Sequence, residues 1–479
     1  RLIYDKQYFF FLQQLFLRCP KDLSFGRLLN SCGFNKKRGV PILIVMYGLL
    51  TAVFNYSGIH QKTQSRKGYS QCNCTDQVFY DITSNPKLNW RKLCLLLAQN
   101  LIRKITPTMT CAKCFVLDDT IMERPRSKKV ELLSRTYDHV SHRQVKGFTN
   151  LLLAWTDGLS SVPVINAVVS SSKIICPERN DIDKRTHGGE RRKEAQEKKT
   201  ILAVKLIKEA LNAGIIASYV LMDSWFTEVP LISAVRKLNL HVIGMVKLSQ
   251  KRFYTYQEKQ YTLHQLRKKI KSASSHSNIL GSLQVKLKTG IKAKLVYVVN
   301  YNNRKQFLVI LSTDLTLSDE EIVQTYGKRF NIEQIFKSMK HLLKLTKENQ
   351  GRSFDSTIAF SSLSIIRVIA MEWIRRTESD PATMGSIFNN VKDTLEDLPF
   401  TVALQTLLQR FFSLPDKLAA AGAIKQGCID TVKAIVENEI NSWFDAISDF
   451  IRDFCLRFTN DRITYDQVND KINISFERA

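Results

Sequence analysis

The sequence predicts an α/β protein in which a mixed sheet is flanked by helical regions. Two short apolar runs with strand character end in an acidic residue: Phe115–Leu117 precedes Asp118, and Tyr219–Met222 precedes Asp223. Helical segments separate the apolar runs, and strands that alternate with helices are typical of α/β sheets. With 479 residues, 44% of them hydrophobic, the chain is long enough for several domains with buried cores.

The N-terminal residues are predicted to be helical. Pro41 lies at a plausible helix start, and Thr75 is a candidate cap for a short helix, Asp76–Thr83. A basic stretch, 62–73, precedes that helix. A basic loop followed by a short helix is compatible with a helix-turn-helix DNA-binding region, and a plain helical bundle fits the pattern equally well.

The middle of the chain carries strand signals. Asp157-Gly158 joins two apolar runs, which indicates a hairpin, and Gly214 is predicted to end a helix. Tyr-rich and Lys-rich segments after residue 247 indicate further strands. The predicted regions are a helical, DNA-binding N-terminal region 1–106, a first core part 107–246, a β-rich insertion 247–315, a second core part with a charged helix 316–376, and a helical C-terminal region 377–479.

The charge balance indicates a polyanionic partner. Lys and Arg number 71 and Asp and Glu 44, a formal net charge of +27, which favours nucleic acid over an anionic membrane. The apolar run Ile42–Phe54 is shorter than the roughly 20 residues of a membrane span, so it is interpreted as a buried helix. Ten scattered cysteines suit a reducing cytoplasm. One basic cluster is expected to contact a nucleic-acid backbone: Lys184, Arg185, Arg191, Arg192 and Lys193.

A charged helix is predicted to begin near Glu321. Its residues Tyr326, Arg329, Glu333 and Lys340 fall within an arc of about 60° at 100° per residue, so they share one helical face. A solvated face with a local Arg–Glu pair would explain the charges. It would not explain the tyrosine among them or the two aspartates upstream.

Three carboxylates on separate elements suit divalent cations. Mg²⁺ prefers oxygen ligands, and Asp118, Asp223 and Glu333 would supply them. Two such ions can activate a water or a 3′-hydroxyl and stabilise the leaving oxygen of a phosphodiester. Arg329 and Lys340 would then hold phosphates.

These residues resemble a known family. The spacing Tyr326-x2-Arg329-x3-Glu333-x6-Lys340 is similar to the signature of the insertion-sequence-4 family of bacterial DDE transposases. Asp118-Asp119-Thr120 resembles the first-aspartate motif of that family. Asp223-Ser224-Trp225-Phe226 resembles the second, in which an aromatic residue follows the aspartate. The resemblance extends to about residue 375.

The resemblance implies a fold, a reaction and partners. The fold would be an RNase H-like catalytic core with a β-rich insertion between the second aspartate and the glutamate. The catalytic metal ligands would be Asp118, Asp223 and Glu333, with Mg²⁺ as the cofactor and Mn²⁺ as a substitute. The signature residues Tyr326, Arg329 and Lys340 would bind DNA. The enzyme would cut the ends of an insertion sequence and join the freed 3′-hydroxyls to target DNA, as a homodimer on double-stranded DNA in a bacterial cytoplasm, near the nucleoid.

Two residue assignments stay open. Successive strand residues point to opposite faces, so only one of Asp118 and Asp119 can face the metal ions, and the motif spacing favours Asp118. Trp225 is close to the second aspartate and is interpreted as a packing residue.

The function has alternatives. A catalytically silent or host-adopted DNA-binding relic of a transposase would keep the charge without the reaction. A simple nuclease would hydrolyse DNA without joining strands.

Overall fold

The computed structural model describes most of the chain. The described residues are 25–35, 38–56, 58–65, 75–106, 111–138, 141–179, 181–270, 278–301, 303, 306–377, 382–393, 407, 411, 413–446, 463–466 and 471–474. The chain forms two compact units, one of them Tyr8–Asn389 and the other composed of Arg1–Gln7 and Asn390–Ala479.

Helices form the start of the larger unit, as expected. Their bounds are α1 Phe25–Ser31, α2 Ile42–Asn55, α3 Ile59–Gln64, α4 Asp76–Thr83 and α5 Trp90–Ile105. Helix α4 has the predicted bounds, but the side chain of Thr75 makes no capping hydrogen bond. Most of the basic stretch, residues 66–73, lies outside the described part, so the helix-turn-helix hypothesis stays a prediction.

The apolar run in α2 is a core helix. Every residue from Val45 to Phe54 is buried. A second apolar helix, α12 (Phe354–Thr377), is the one described helix whose length and hydropathy would suit a membrane span. Its most apolar window is 89% buried inside the protein, and α12 packs against α5 and a strand of the sheet.

Within the described part of the chain, eleven strands form one sheet. The strands are β1 Cys114–Glu123, β2 Ser134–Asp138, β3 Arg143–Thr156, β4 Ser161–Val169, β5 Tyr219–Met222, β6 His241–Met245, β7 Tyr254–Tyr256, β8 Lys259–Tyr261, β9 Ile279–Lys286, β10 Lys292–Val299 and β11 Phe307–Ser312. Their order is β2-β3-β1-β5-β6-β11-β10-β9-β7-β8, and β4 also pairs with β3.

The centre of the sheet is mixed, as the sequence predicts. Strand β1 runs antiparallel to β3 and parallel to β5, and β5 runs parallel to β6. The β3–β4 hairpin turns at Asp157-Gly158, where Gly158 has a φ of +104° that favours glycine. Asp157 Oδ1 accepts hydrogen bonds from the backbone amides of Leu159 and Ser160. This turn is the one that the Asp-Gly pair predicts.

The strands expected after residue 247 are present, and they extend the same sheet. Strand β11 pairs antiparallel with β6, and β10 and β9 follow outward from it. A short helix, α9 (Leu263–Arg267), lies among them and begins with a capping box at Thr262. The β-rich segment is therefore joined to the central sheet through its last strand.

Helices complete the larger unit. They are α6 His187–Ala195, α7 Lys199–Asn212, α8 Val229–Arg236, α10 Asp319–Gly327 and α11 Phe330–Lys337, with a π-helical turn at Ser338–Leu342, and then α12. Helix α10 starts at a capping box between Ser318 and Glu321. Acidic residues fill its first turn, where they complement the helix dipole.

One basic residue expected at the surface is fully buried. Arg192 has no exposed area; it pairs with Glu131 at 2.7 Å and with Asp355 at 2.6 Å. The hypothesis that Arg192 contacts a nucleic-acid backbone is therefore wrong. The three residues instead connect α6, the loop after β1 and the start of α12, which holds the helices against the sheet.

The smaller unit adds strands to the expected helices. Its described elements are α13 Leu414–Ala420, a 3-10 turn Gln426–Cys428, α14 Ile429–Ala446, β12 Ile463–Asp466 and β13 Lys471–Ile474. The last two pair antiparallel.

Candidate active site

The sheet register brings the two predicted aspartates together. The parallel pairing of β1 with β5 ends at Leu117 and Met222, and the next residues are Asp118 and Asp223. Because the strands are parallel, both carboxylates leave the paired region at the same edge. Asp118 is not at a strand end, which corrects the sequence prediction, since β1 continues along β3 to Glu123.

Asp118 is a half-buried acid with a mixed environment. Its Oδ2 lies 2.9 Å from Nη1 of Arg329, and its Oδ1 accepts a hydrogen bond of 2.8 Å from the amide of Asp119. Burial, and then the charge of Asp223, raises the pKa of Asp118 to about 7, although Arg329 acts in the opposite direction. Burial, more than the charge of its neighbours, therefore favours the protonated form of Asp118.

Asp223 is fixed by the backbone that follows it. Its Oδ1 accepts hydrogen bonds of 3.0 Å from the amides of Trp225 and Phe226. Burial raises the pKa of Asp223, while these two hydrogen bonds and the charge of Arg329 lower it in part. The carboxylate is therefore held at the sheet edge in one orientation.

The segment with the four signature residues is not one uniform helix. Helix α10 ends at Gly327, and the amide of Arg329 bonds to the carbonyl of Tyr326 at 2.9 Å, three residues back. After α11, the amide of Leu343 bonds to Ser338 at 3.0 Å, five residues back. A tight turn and then a wide turn replace the regular helical repeat. The single regular helical face that the sequence predicts over residues 326–340 is therefore interrupted.

Arg329 links two of the predicted metal ligands. Its Nη1 bonds to Asp118 and its Nη2 to Oε1 of Glu333, one helical turn later. Its guanidinium carbon lies 5.9 Å from the ring centre of Tyr326. Burial raises the pKa of Tyr326 to about 12, and Arg329, Asp223 and Asp118 all act on its hydroxyl. These five residues therefore form one cluster.

Lys340 lies away from that cluster. Burial lowers its pKa, and the charges that act on it are those of Asp138 and Glu123. Glu123 follows Asp118 by five residues on an extended strand, a separation of about 16 Å at roughly 3.3 Å per residue. Three of the four signature residues thus join the aspartates, whereas the acids that act on Lys340 are Glu123 of β1 and Asp138 of β2.

Asp119 has a different partner from Asp118. It pairs with Nζ of Lys199 at the start of α7. No spacing pattern in the sequence points to Lys199. Another missed residue is Lys328, whose Nζ bonds to the carbonyls of Ala112 at 2.9 Å and Asp157 at 3.2 Å. Lys328 anchors the tight turn. Its position in the sequence between Tyr326 and Arg329 is the one feature that could have pointed to it.

The tryptophan beside the second aspartate is open to solvent. Trp225 is 53% exposed, and Nζ of Lys247 lies 4.3 Å from the centre of its ring. The expectation that it packs in the core is therefore wrong. An exposed ring under a cation can stack a nucleic-acid base.

Asp118 and Asp223 suit a divalent cation, whereas Glu333 is paired with Arg329. The two aspartates supply hard oxygen donors at the ends of adjacent paired segments, and the charge of Asp223 raises the pKa of Asp118. Over the residues that the structure describes, no group of three or more His, Cys, Asp or Glu side chains is close enough to hold a metal ion. Arg329 lies between Asp118 and Glu333 instead.

Family comparisons match this part of the chain. Residues 64–277 match the model described as DDE superfamily endonuclease, and residues 193–363 match the model described as Transposase DDE domain. Among curated proteins, no sequence matches the chain. A solved structure of the piggyBac transposase synaptic complex with hairpin DNA is similar over 82% of this chain and 77% of that one, at 12% identity and a TM-score of 0.41.

Proposed function

We propose that the chain is a DNA transposase that cuts the ends of an insertion sequence and joins the 3′-hydroxyls to target DNA. The observation that carries this proposal is the parallel register of β1 and β5, which ends just before Asp118 and Asp223, together with the ion pairs of Arg329 with Asp118 and Glu333. The matches to the endonuclease and transposase family models cover all four residues between them. The net charge of +27 supports a DNA partner.

The catalytic residues in this proposal are Asp118, Asp223 and Glu333. They would hold Mg²⁺, or Mn²⁺ in its place, which would activate the attacking hydroxyl and stabilise the leaving oxygen. Asp118 is preferred over Asp119 as the first ligand, because Asp119 pairs with Lys199 while Asp118 shares Arg329 with Glu333.

The remaining signature residues would bind the DNA backbone. Arg329 has a planar fork that suits two phosphate oxygens, and Lys340 supplies a point charge further along β1. Tyr326 keeps its proton at neutral pH, since its pKa is about 12, so its hydroxyl can donate to a phosphate.

The narrower assignments belong to the same proposal. The antiparallel pair β3–β4 on one side of β1 and the parallel strands β5 and β6 on the other support an RNase H-like core. The tyrosine-to-lysine spacing supports the insertion-sequence-4 family. A homodimer would bring two DNA ends together, in the cytoplasm of a bacterium.

The test is a cleavage assay with matched variants. The purified chain is incubated with Mg²⁺ or Mn²⁺ and a plasmid that carries the element's flanking ends. Nicked and joined products are expected from the wild type and from Asp119→Asn, and neither is expected from Asp118→Asn, Asp223→Asn or Glu333→Gln. Each change keeps the side-chain shape and removes the charge, so loss of product with intact DNA binding identifies the ligands.

The same assay separates the alternatives. A chain that binds the ends but makes no nick in any sample is a DNA-binding relic. A chain that nicks without joining is a nuclease. If Asp119→Asn is inactive and Asp118→Asn is active, the assignment of the first ligand is reversed.

A further inference from the structure

A positive side chain of the protein lies between two of the proposed metal ligands. Arg329 bonds through Nη1 to Asp118 at 2.9 Å and through Nη2 to Glu333. The two acids come from different elements, a central strand and α11. One guanidinium therefore neutralises carboxylates that the proposed function assigns to a cation.

The contacts are sheltered rather than fully exposed. The side chains of Arg329 and Asp118 are 18% and 17% exposed, and that of Glu333 is 44% exposed. Charge-assisted bonds in such a place are stronger than those on an open surface. The oxygens that accept from Arg329 would be needed by a divalent ion, so the arginine and the ion compete for them.

Arg329 also has an alternative acceptor in the proposed reaction. It lies at the tight turn between α10 and α11, at the edge where DNA would meet Asp118 and Asp223. A phosphate diester offers the guanidinium two oxygens in the same planar geometry as a carboxylate. When a phosphate takes Arg329, Asp118 and Glu333 lose their internal partner.

We propose that Arg329 is an internal counter-ion that closes the metal site in the absence of DNA and exchanges from Asp118 and Glu333 to a DNA phosphate when the divalent ion binds. Arg329 is then a positioning residue for metal loading as well as a DNA contact. This inference rests on the proposed function.

The exchange predicts that removing Arg329 tightens metal binding. Mn²⁺ affinity is measured on the full chain without DNA, by calorimetry or by the electron paramagnetic resonance signal of free Mn²⁺. Arg329→Gln is expected to bind Mn²⁺ on the order of tenfold more tightly than the wild type, the usual size of one charge coupling between sites. Asp118→Asn should abolish the tighter binding, which locates the ion.

Lys199→Gln is the matched control. It also removes one positive charge beside a neighbouring acid, Asp119, from a side chain that is 44% exposed. It should change the Mn²⁺ affinity by roughly twofold or less, because exposed pairs contribute little. Arg329→Lys keeps the charge without the fork and should lie between the wild type and Arg329→Gln. Circular dichroism confirms that each variant is folded.

DNA supplies a second readout. In the wild type, a duplex carrying the ends should raise the Mn²⁺ affinity, because its phosphate releases Arg329 from the acids; by linkage, Mn²⁺ should raise the DNA affinity by the same factor. This coupling should disappear in Arg329→Gln.

The outcomes are distinct from those of the cleavage assay. Equal or weaker Mn²⁺ binding by Arg329→Gln would overturn the exchange, even if the wild type cuts DNA. Binding that appears through Asp118 only when Arg329 is removed would support it, and so would tighter binding in a chain that makes no nick.

Discussion

The buried charge cluster around Arg192 offers a quantitative test of how the fold is held together. Arg192 donates to Glu131 at 2.7 and 2.8 Å and to Asp355 at 2.9 and 2.6 Å, and its Nη1 also reaches the carbonyl of Gly188 at 3.0 Å. The exposed fractions of the three charged side chains are 0%, 3% and 5%. Arg192→Met would keep much of the volume and leave two carboxylates buried without a cation.

The expected loss is large. Breaking a buried pair by removing one partner costs about 3–5 kcal/mol of unfolding free energy, because the remaining charge is neither solvated nor paired. The triple change Glu131→Gln, Arg192→Met, Asp355→Asn removes all three charges and should recover most of that loss. Urea denaturation followed by circular dichroism measures the midpoints. Arg185→Met is the control, since Arg185 pairs with Asp183 at the surface, and its midpoint should match the wild type.

The pH dependence of the loss has a definite sign. Burial acts to raise the pKa of Glu131. The hydrogen bonds from Arg192 and from the amides of Phe354 and Arg179 outweigh burial and hold that pKa below its usual value. In the wild type, the stability from this group is present above its unfolded pKa, about 4.3, and is lost as pH falls through the lower folded pKa. In Arg192→Met, protonation removes the unpaired buried charge of Glu131, so the unfolding free energy of the variant rises in acid relative to that of the wild type. The gap between the two proteins should therefore narrow as pH falls from 7 to 4. A gap under 1 kcal/mol at pH 7, or one that widens in acid, would refute the reasoning.

Three further predictions concern other parts of the larger unit. Trp225→Ala should weaken binding of single-stranded DNA by about 1–3 kcal/mol, the value of one stacked base, when measured by fluorescence anisotropy, and an unchanged affinity would count against stacking. Gly147→Ala should lower the unfolding free energy by about 1–3 kcal/mol in urea denaturation, because the new Cβ would lie 2.2 Å from the carbonyl oxygen of Met122 and both atoms belong to paired strands. In thiol labelling of the native protein read by mass spectrometry, exposed Cys111 should react at once and Cys94 only after unfolding, since Cys94 is buried and burial raises its thiol pKa to about 12.

The sequence predicts the central sheet well where local chemistry is decisive. The run Tyr219–Met222 is a strand with the predicted bounds, since it is short, apolar and followed by a turn-forming aspartate. The hairpin at Asp157-Gly158 follows from the need for a positive φ at Gly158. The expected strands after residue 247 are present because β-branched and aromatic residues favour strands wherever the chain pairs them.

Partners distant in sequence are what the pattern does not show. Strand β1 continues past Asp118 because it pairs with β3 as far as Glu123. That pairing is a property of the whole sheet. Arg192 sits in a basic stretch that looks like a surface patch. Its burial depends on Glu131 and Asp355, which are 61 and 163 residues away along the chain. The sequence shows a positive side chain at position 192, but the local pattern does not show which carboxylates pair with it.

The signature segment shows why a helical repeat is an incomplete guide to a site. A regular helix would place Tyr326, Arg329, Glu333 and Lys340 on one face, but the hydrogen bonds step back three residues before α11 and five after it. Arg329 joins Glu333 to Asp118, whereas the charges that act on Lys340 are those of Glu123 and Asp138. At 3.4 Å per nucleotide along a DNA strand, the roughly 16 Å from Asp118 to Glu123 corresponds to about five nucleotides. In the proposed function, a DNA strand that runs along β1 would therefore meet Arg329 and Lys340 through different phosphates.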